Sequence, residues 1–507
     1  MYLTRSSAPI RKARMRLTGA GGRRAFRAAL SLSAALVPPV LYVLSGCAPG
    51  ERDPAWEHVA APPPHTDHSP LIKGPIATGP EATRECLRCH PGEAAEVMAT
   101  SHWTWLGHET MIAGREEPVG IGKRNLINNY CISIESNWPR CTSCHAGYGW
   151  RDETFDFSNQ ENVDCLVCHD QTGTYYKAPT EAGHPAEGVD LPAVAESVGR
   201  PTRRNCGYCH FQGGGGDAVK HGDLDGTFYF PVERIDIHMG KHHLQCVDCH
   251  RTEQHEMEGR ALSVSADTGN RLECSSCHTA LPHEDERLNA HTSAVACQTC
   301  HIPRMAVAAP TKMKWDWSTA GRDSAINDPH VYLKTKGSFE FKKDVPPEYG
   351  WYNGRSGRYL QGDKIDPEGV TLLNPPKGGI DDPEATIWPF KIHRGKQIYD
   401  KIHNYFLVPK TFGAGGYWTE FDWDLALRLG SEATGLAYSG EYGFARSAMY
   451  WPITHMVAAA EQALQCTDCH REGGRMDWEE LGYDGDPAFG GTPRPVAIAK
   501  AEQEAYR

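Results

Sequence analysis

"NNYCISIESNWPRCTSCH", residues Asn128 to His145, decides the fold with its last five residues. Cys141-Thr-Ser-Cys144-His145 is a Cys-x-x-Cys-His motif. One more precedes it, Cys86/Cys89/His90, and six follow: Cys165/Cys168/His169, Cys206/Cys209/His210, Cys246/Cys249/His250, Cys274/Cys277/His278, Cys297/Cys300/His301 and Cys466/Cys469/His470. A chain of this composition would contain about 0.03 such motifs by chance, so the eight serve one repeated purpose. Two thiols three positions apart form thioethers to both vinyl groups of one haem, and the next residue supplies an axial imidazole to the iron. Zinc ribbons pair Cys-x-x-Cys units without needing His at the next position every time. Eight covalently attached haem c groups are therefore expected.

Of 18 cysteines, Cys47 and Cys131 are left over. Arg and Lys crowd residues 5–27, an apolar run follows, and "LSGC" closes it. Residues 1–46 read as a lipoprotein signal peptide ending in the lipobox Leu44-Ser45-Gly46-Cys47, with Cys47 left to be lipidated. The apolar run is broken by Pro38-Pro39 and is short for a bilayer span. Met15 is an alternative start, and Arg23-Arg24 is only a weak twin-arginine signal. The expectation is an exported protein, lipid-anchored on a periplasmic or outer-membrane face; Ala48 after the lipidated cysteine resembles outer-membrane sorting. A net charge of −12 argues against nucleic acid as a partner. Cys131 admits two readings. It is a spare thiol, buried or bonded to another molecule, or it is a nucleophile acting as the thiolate.

The fold class expected is a multihaem cytochrome c: mostly short α-helices and loops packed around eight covalently bound haems, with little β. Residues 47–78 form a Pro-rich tether, in which His58, His65 and His68 are expected to be solvated. Residues 79–310 are a haem domain carrying motifs one to seven. Residues 311–454 are an aromatic, loop-rich insertion packing on the haem body, and 455–507 hold the eighth motif and a polar tail. Glycine (51) and proline (35) are abundant, which suits a loop-rich body. Short helices are expected at "EAAEVMATSHW" and "HMVAAAEQALQCTDCH", and less strongly at "DWDLALRLGSEA".

Electron-transfer haems take two imidazoles, and 25 histidines less the eight of the motifs leave 17. Position selects eight of them as second ligands. They are His102, His238, His242 (with His243 beside it), His255, His283, His291, His455 on an expected helix, and His393 in "KIHRGKQIYDKIH". Methionine ligation is disfavoured because Met239 and Met456 sit beside histidines.

These residues, with "NNYC", "DAVKHGDLDG", "VDCHRTEQH", "PHEDERLNAHTSAVACQTCH" and "KIHRGKQIYD", make the chain resemble the octahaem c-type cytochromes of the tetrathionate reductase family. The resemblance implies one haem unlike the others, hung from the second motif with His145 proximal and Lys220 as its distal ligand. It also implies an active-site cysteine at Cys131, with Asn128 and Asp217 nearby. Read on its own, Lys220 follows four glycines, whose backbone can approach a flat group closely. A lysine binds iron only as the neutral amine.

The resemblance implies an extracytoplasmic oxidoreductase of sulfur compounds: reduction of tetrathionate to thiosulfate, or a related sulfur oxidation. The partners expected are a small sulfur oxyanion, a quinol-linked or periplasmic cytochrome, and the membrane through Cys47. Two alternatives stay open. One is a lipid-anchored electron conduit without catalysis, the other a nitrite or hydroxylamine reductase.

Overall fold

A Cys-x-x-Cys pair asks for one helical turn, because residues three apart share a helix face. The chain supplies little more than that at Cys165–His169, Arg203–His210, Cys246–Cys249, Cys297–His301 and Cys466–Cys469. The structure, a computed structural model, describes residues 66–112, 115–130, 133–213, 215–260, 262, 264–266 and 269–491. The expected signal peptide, Cys47, the expected tether through His65, Cys131 and the residues after 491 lie outside the described residues. Polar side chains close the motif turns. Asp164 accepts from the Val167 amide at 3.0 Å, and Gln245 with Asp248, like Gln465 with Asp468, forms a reciprocal capping box.

The interval between the seventh and eighth motifs is not a set of loops. It builds an eight-stranded sheet from β1 (Thr311–Asp316), β2 (Tyr332–Leu333), β3 (Gly337–Lys342), β4 (Glu348–Tyr352), β5 (Val370–Leu372), β6 (Thr386–Asp400), β7 (Tyr405–Phe406) and β8 (Tyr442–Pro452). The order is β2-β3-β1-β6-β8-β5, with β4 and β7 also pairing with β6. The β6–β8 ladder is antiparallel from Phe390↔Pro452 to Asp400↔Tyr442, so Lys391 lies opposite Trp451 and His393 opposite Met449. β1 runs parallel to β6. One core cluster joins Trp315, Phe406, Met449 and Trp451 of this region to Ile127, Tyr130 and Val219 of the haem domain. The sheet is thus packed directly on the segments that flank Cys131 and Lys220.

The expectation of little β is corrected here, and the reason is physical. Along β6 the residues from Ile387 to Lys391 are buried without a break, and beyond them His393, Gly395 and Gln397 are buried while Arg394 is exposed and Ile392 and Lys396 are half-buried. The first stretch loses its period-two signal, as a strand covered on both faces does, and in the second the buried face is itself polar, so it reads as a loop. Helices do form at Glu93–Ala99, Ser101–Thr104 and Trp423–Thr434. The last has Asp422 accepting from the Leu425 amide and left-handed Gly435 as its C-cap. "HMVAAAEQALQCTDCH" is not one helix. Met456 takes φ +64, and only a 3-10 turn at Ala460–Gln462 and the motif helix Cys466–Cys469 follow.

Candidate functional site: seven paired imidazoles and one caged histidine

Imidazole–metal bonds are about 2 Å long, so two imidazoles on opposite sides of one iron hold their centroids roughly 6 Å apart. Seven motif histidines face another histidine at that separation. They are His90 with His68 (6.4 Å), His169 with His255 (6.5 Å), His210 with His102 (6.2 Å), and His250 with His455 (6.3 Å). His278 with His238 (6.1 Å), His301 with His283 (5.9 Å) and His470 with His291 (6.2 Å) complete the set. The thiol pairs and facing rings fit haem c. Burial holds the His102, His169, His210 and His301 imidazoles below their usual pKa, hence neutral, as metal ligation requires.

Three expectations about histidines change. His68 faces His90 instead of standing in solvent, and it lies on a stretch without helical or strand pattern. His238, not His242, faces His278. His393 faces Asn129 and Tyr130 instead of a motif ring: its Nδ1 lies 2.8 Å from Asn129 Oδ1, and its centroid 6.4 Å from that of Tyr130.

Side-chain and backbone contacts link the motifs in a line. Sulfurs touch between Cys86 and Cys165, Cys206 and Cys246, and Cys274 and Cys297. Asn205 Nδ2 donates to the Val167 and Asp170 carbonyls, Arg251 reaches Cys277 Sγ at 3.8 Å, and the Leu464 amide donates to Cys300 O at 3.0 Å. The order along the line is therefore motif one, three, four, five, six, seven and eight. The second motif joins through Cys144, which touches Cys209 of the fourth.

Cys89 is exposed, whereas Cys86 of the same motif is half-buried. The cause is its place in the fold. The helix Gly79–Leu87 stops before Cys89, whose amide still donates to the Cys86 carbonyl at 3.1 Å. Cys86 thus turns inward to Cys165, while Cys89 and the exposed His90 lie at the outer end of the row. A haem held by Cys86 and Cys89 would keep one thioether edge toward solvent.

His145 of the second motif stands apart. It is fully buried in a cage of Trp103, Trp105, Trp150, Phe155 and Phe157, with ring centroids 4.9–6.3 Å away. Its Nε2 lies 2.7 Å from the Trp103 carbonyl. Burial pushes this imidazole down to about 3, so it is neutral, the form in which an imidazole binds a metal. What sets this motif histidine apart is its surroundings: among the described residues it meets five aromatic rings and no second imidazole at the separation of the other seven pairs. Below the cage, Lys177 pairs with Asp164 at 2.8 Å, both with fully buried side chains, and Lys177 Nζ also donates to the His145 carbonyl.

Lys220 lies near the attachment cysteines of the second and fourth motifs. Its charge acts on the Cys144 thiol, and a Cβ built on Gly213 would stand 3.3 Å from Lys220 Nζ and 2.3 Å from the Cys209 carbonyl. Glycine at 213 is what lets the amine lie so near the second and fourth motifs. Gly215 and Gly216 take φ +117 and +128 to turn the chain. A Cβ at Gly215 would meet the Tyr130 carbonyl at 3.9 Å, so the loop before Lys220 abuts the segment before Cys131. In that segment Asn128 Oδ1 accepts from the Tyr130 amide at 3.2 Å. Asp217 is exposed and accepts from the Gly226 amide at 2.7 Å, placing it on the rim.

Sequence reasoning missed several supports. Trp451 packs on Tyr130 at 5.4 Å and on His221 at 4.9 Å. Burial, then the Lys220 charge, push His221 down to about 3. Buried Lys391 donates to the Val219 and Lys220 carbonyls at 2.9 and 2.8 Å and to Thr311 Oγ1 at 2.6 Å. Three carboxylates back histidines of these pairs: Asp223 at His455 and Glu96 at His255, both facing histidines, and Asp486 at the motif histidine His470. No local motif announces any of these, because each partner is distant in sequence.

A bacterial cytochrome c family model matches residues 312–473. An Archaeoglobus fulgidus protein described as uncharacterized is 23% identical over 266 residues, covering 43% of this chain and 87% of its own. The crystal structure of an octahaem cytochrome c from Shewanella oneidensis superposes with a TM-score of 0.80 at 51% identity, over 84% of this chain and 98% of that one. With eight attachment motifs and that identity across nearly the whole relative, this chain, a carrier of covalently bound haem c, belongs to the octahaem cytochromes c.

Proposed function

We propose that this multihaem oxidoreductase reduces tetrathionate to thiosulfate, or acts on a related sulfur oxyanion, at the second motif. The observation that carries the reading is the asymmetry of the histidines: seven face another imidazole, while His145 meets aromatic rings instead and Lys220 acts on Cys144 of the same motif. Cys141 and Cys144 would hold the haem there, with His145 as its proximal and Lys220 as its distal ligand. The paired histidines and the other motif cysteines would hold the remaining seven. Haem c supplies one-electron redox chemistry at each position.

The chain's own residues do the rest. The Asn128 amide donates a hydrogen bond to a sulfonate oxygen, and the ammonium form of Lys220 attracts the dianion. Cys131, one residue past Tyr130, attacks the central S–S bond as its thiolate. That step forms a Cys131–sulfur bond and expels one thiosulfate. Two electrons then break the new bond, release the second thiosulfate and restore the thiolate, so the sum is one tetrathionate and two electrons to two thiosulfates. Asp217 on the rim manages protons. Cys47 would tether the protein to a membrane on the extracytoplasmic side, where a quinol-linked or periplasmic cytochrome delivers electrons.

The test is turnover of the purified protein with tetrathionate, thiosulfate, nitrite and hydroxylamine, comparing the parent with Cys131→Ala and Lys220→His. Loss of tetrathionate turnover in both variants supports one shared site. Undiminished activity in both, or eight bis-imidazole haems by electron paramagnetic resonance, leaves a conduit. Nitrite or hydroxylamine turnover that needs Lys220 and not Cys131 redirects the substrate.

A further inference from the structure

We infer that the inner face of β6 is a spacing jig for the second-motif site: Lys391 fixes the backbone that carries Lys220, and His393 fixes the segment that carries Asn128. The inference rests on the function proposed above and assigns a task to two buried residues that it does not use.

Lys391 and His393 stand two apart on one strand, so they share a face with Cα atoms about 7 Å apart. Both are fully buried. Lys391 Nζ lies within hydrogen-bond distance of three acceptors: the carbonyls of Val219 and Lys220 and the hydroxyl of Thr311. Thr311 in turn reaches the Ala218 and His221 carbonyls, so the whole turn from 218 to 221 is pinned to the sheet. At His393 the pairing is reciprocal. Asn129 Nδ2 donates to the His393 carbonyl at 2.8 Å, which leaves Asn129 Oδ1 to accept from the ring Nδ1 at 2.8 Å. The next residue on that face is Gly395, where a Cβ would stand 2.7 Å from Asn129 Cβ. Glycine is therefore required for the strand to lie this close to the segment. On β8, Trp451 opposite Lys391 touches Tyr130 on one side and His221 on the other, so one indole fills the gap between the two pinned segments.

Burying a lysine and a histidine in a strand incurs desolvation that apolar side chains would avoid. What the polar pair supplies is fixed position. Misplacement of a reacting group by 1 Å can cost about 10²-fold in rate. His393 acts through Asn129 and is a positioning residue. The free Nε2 of its ring, buried without a hydrogen-bond partner, is not needed for the role.

The test uses the purified octahaem protein with tetrathionate and compares His393→Ala, His393→Asn, His393→Gln and Lys391→Met. Haem content and the seven bis-imidazole signals report folding. His393→Ala is expected to lower kcat/KM at least tenfold while the amine-ligated haem signal is kept. His393→Asn puts an amide N–H where the ring Nδ1–H stood and is expected to recover to within threefold of the parent; His393→Gln, whose amide reaches the Nε2 position, is not. Lys391→Met is expected to alter the amine-ligated signal itself. The jig is overturned if His393→Ala matches the parent, if the Asn variant is no better than the Gln variant, or if Lys391→Met leaves that signal untouched. A parent protein without an amine-ligated haem or without tetrathionate turnover overturns the proposed function, and the jig with it. A competent parent with indifferent variants overturns the jig alone.

Discussion

Replacing Asp223 by Asn should raise the reduction potential of one haem and leave seven in place. Asp223 is 1% exposed, and one of its oxygens accepts from the Thr454 amide at 2.7 Å, the His455 amide at 2.8 Å and His455 Nδ1 at 3.3 Å. Burial alone would raise this carboxyl, but hydrogen bonding and charge from His455 overcome that and hold it down to about 2. It is therefore ionised at any working pH, and its influence fades only in strong acid. If the His455 ring ligates the iron shared with His250, the carboxylate lies about 7 Å from the metal, and at an effective dielectric near 20 its charge favours the ferric state by about 2 kcal/mol. For a one-electron couple this is roughly 100 mV. Asparagine keeps the shape and the two backbone hydrogen bonds, so the variant removes mainly charge. A potentiometric titration followed by electron paramagnetic resonance would show one low-spin haem moving up by about that amount. An unchanged set of eight potentials would refute the ligation of His455, and a downward shift would refute the electrostatic reasoning.

The same logic at Glu96→Gln predicts a smaller upward shift of the haem at His169/His255. That pair is about one-third exposed, with side-chain accessibilities of 29% and 34%, and solvent screens it; a shift larger than that of Asp223→Asn would contradict the argument. His68→Ala should convert one low-spin haem to high spin with eight haems retained, whereas His242→Ala should leave the spectrum unaltered; a reversed outcome would restore His242 as ligand. Lys177→Met strips a fully buried Asp164 of its partner and should destabilise the protein by about 3–5 kcal/mol, although the Tyr148 and Tyr175 hydroxyls still donate to Asp164 at 2.7 and 2.8 Å. A guanidinium unfolding midpoint equal to the parent's would disprove that.

Haem attachment was legible because covalent chemistry is local: Cys, Cys and His must sit within five residues. How deeply each thiol lies was not, since Cys89 and Cys86 share a motif and differ only in which way the chain turns after the helix. The partners of the motif histidines were only partly legible, because they come from other modules. His250 of the fifth motif faces His455, and His210 of the fourth faces His102. Nearness to a motif suggests a ligand, but it does not say to which iron. His393 misled for a related reason. In "KIHRGKQIYD" burial does alternate, but the covered face is the polar one: Lys391, His393 and Gln397 are buried while Arg394 is exposed. The caged His145 was invisible altogether. Its motif is indistinguishable from the other seven, and only the aromatic residues gathered from Trp103 to Phe157 set its surroundings apart. The resemblance supplied Lys220 and Cys131; the packing supplied the neighbours that hold Lys220 and the chain before Cys131.

The way the second motif meets the others has a consequence of its own. It touches the fourth through Cys144 and Cys209, while the remaining seven make an unbroken row. Such a junction is a spur, not a link in series. An inhibitor lodged at the spur would stop turnover and leave through-traffic untouched, and charge could gather along the main line between substrate encounters. A reaction that consumes electrons in pairs would then draw on a store already filled, so its pace need not follow the arrival of single carriers.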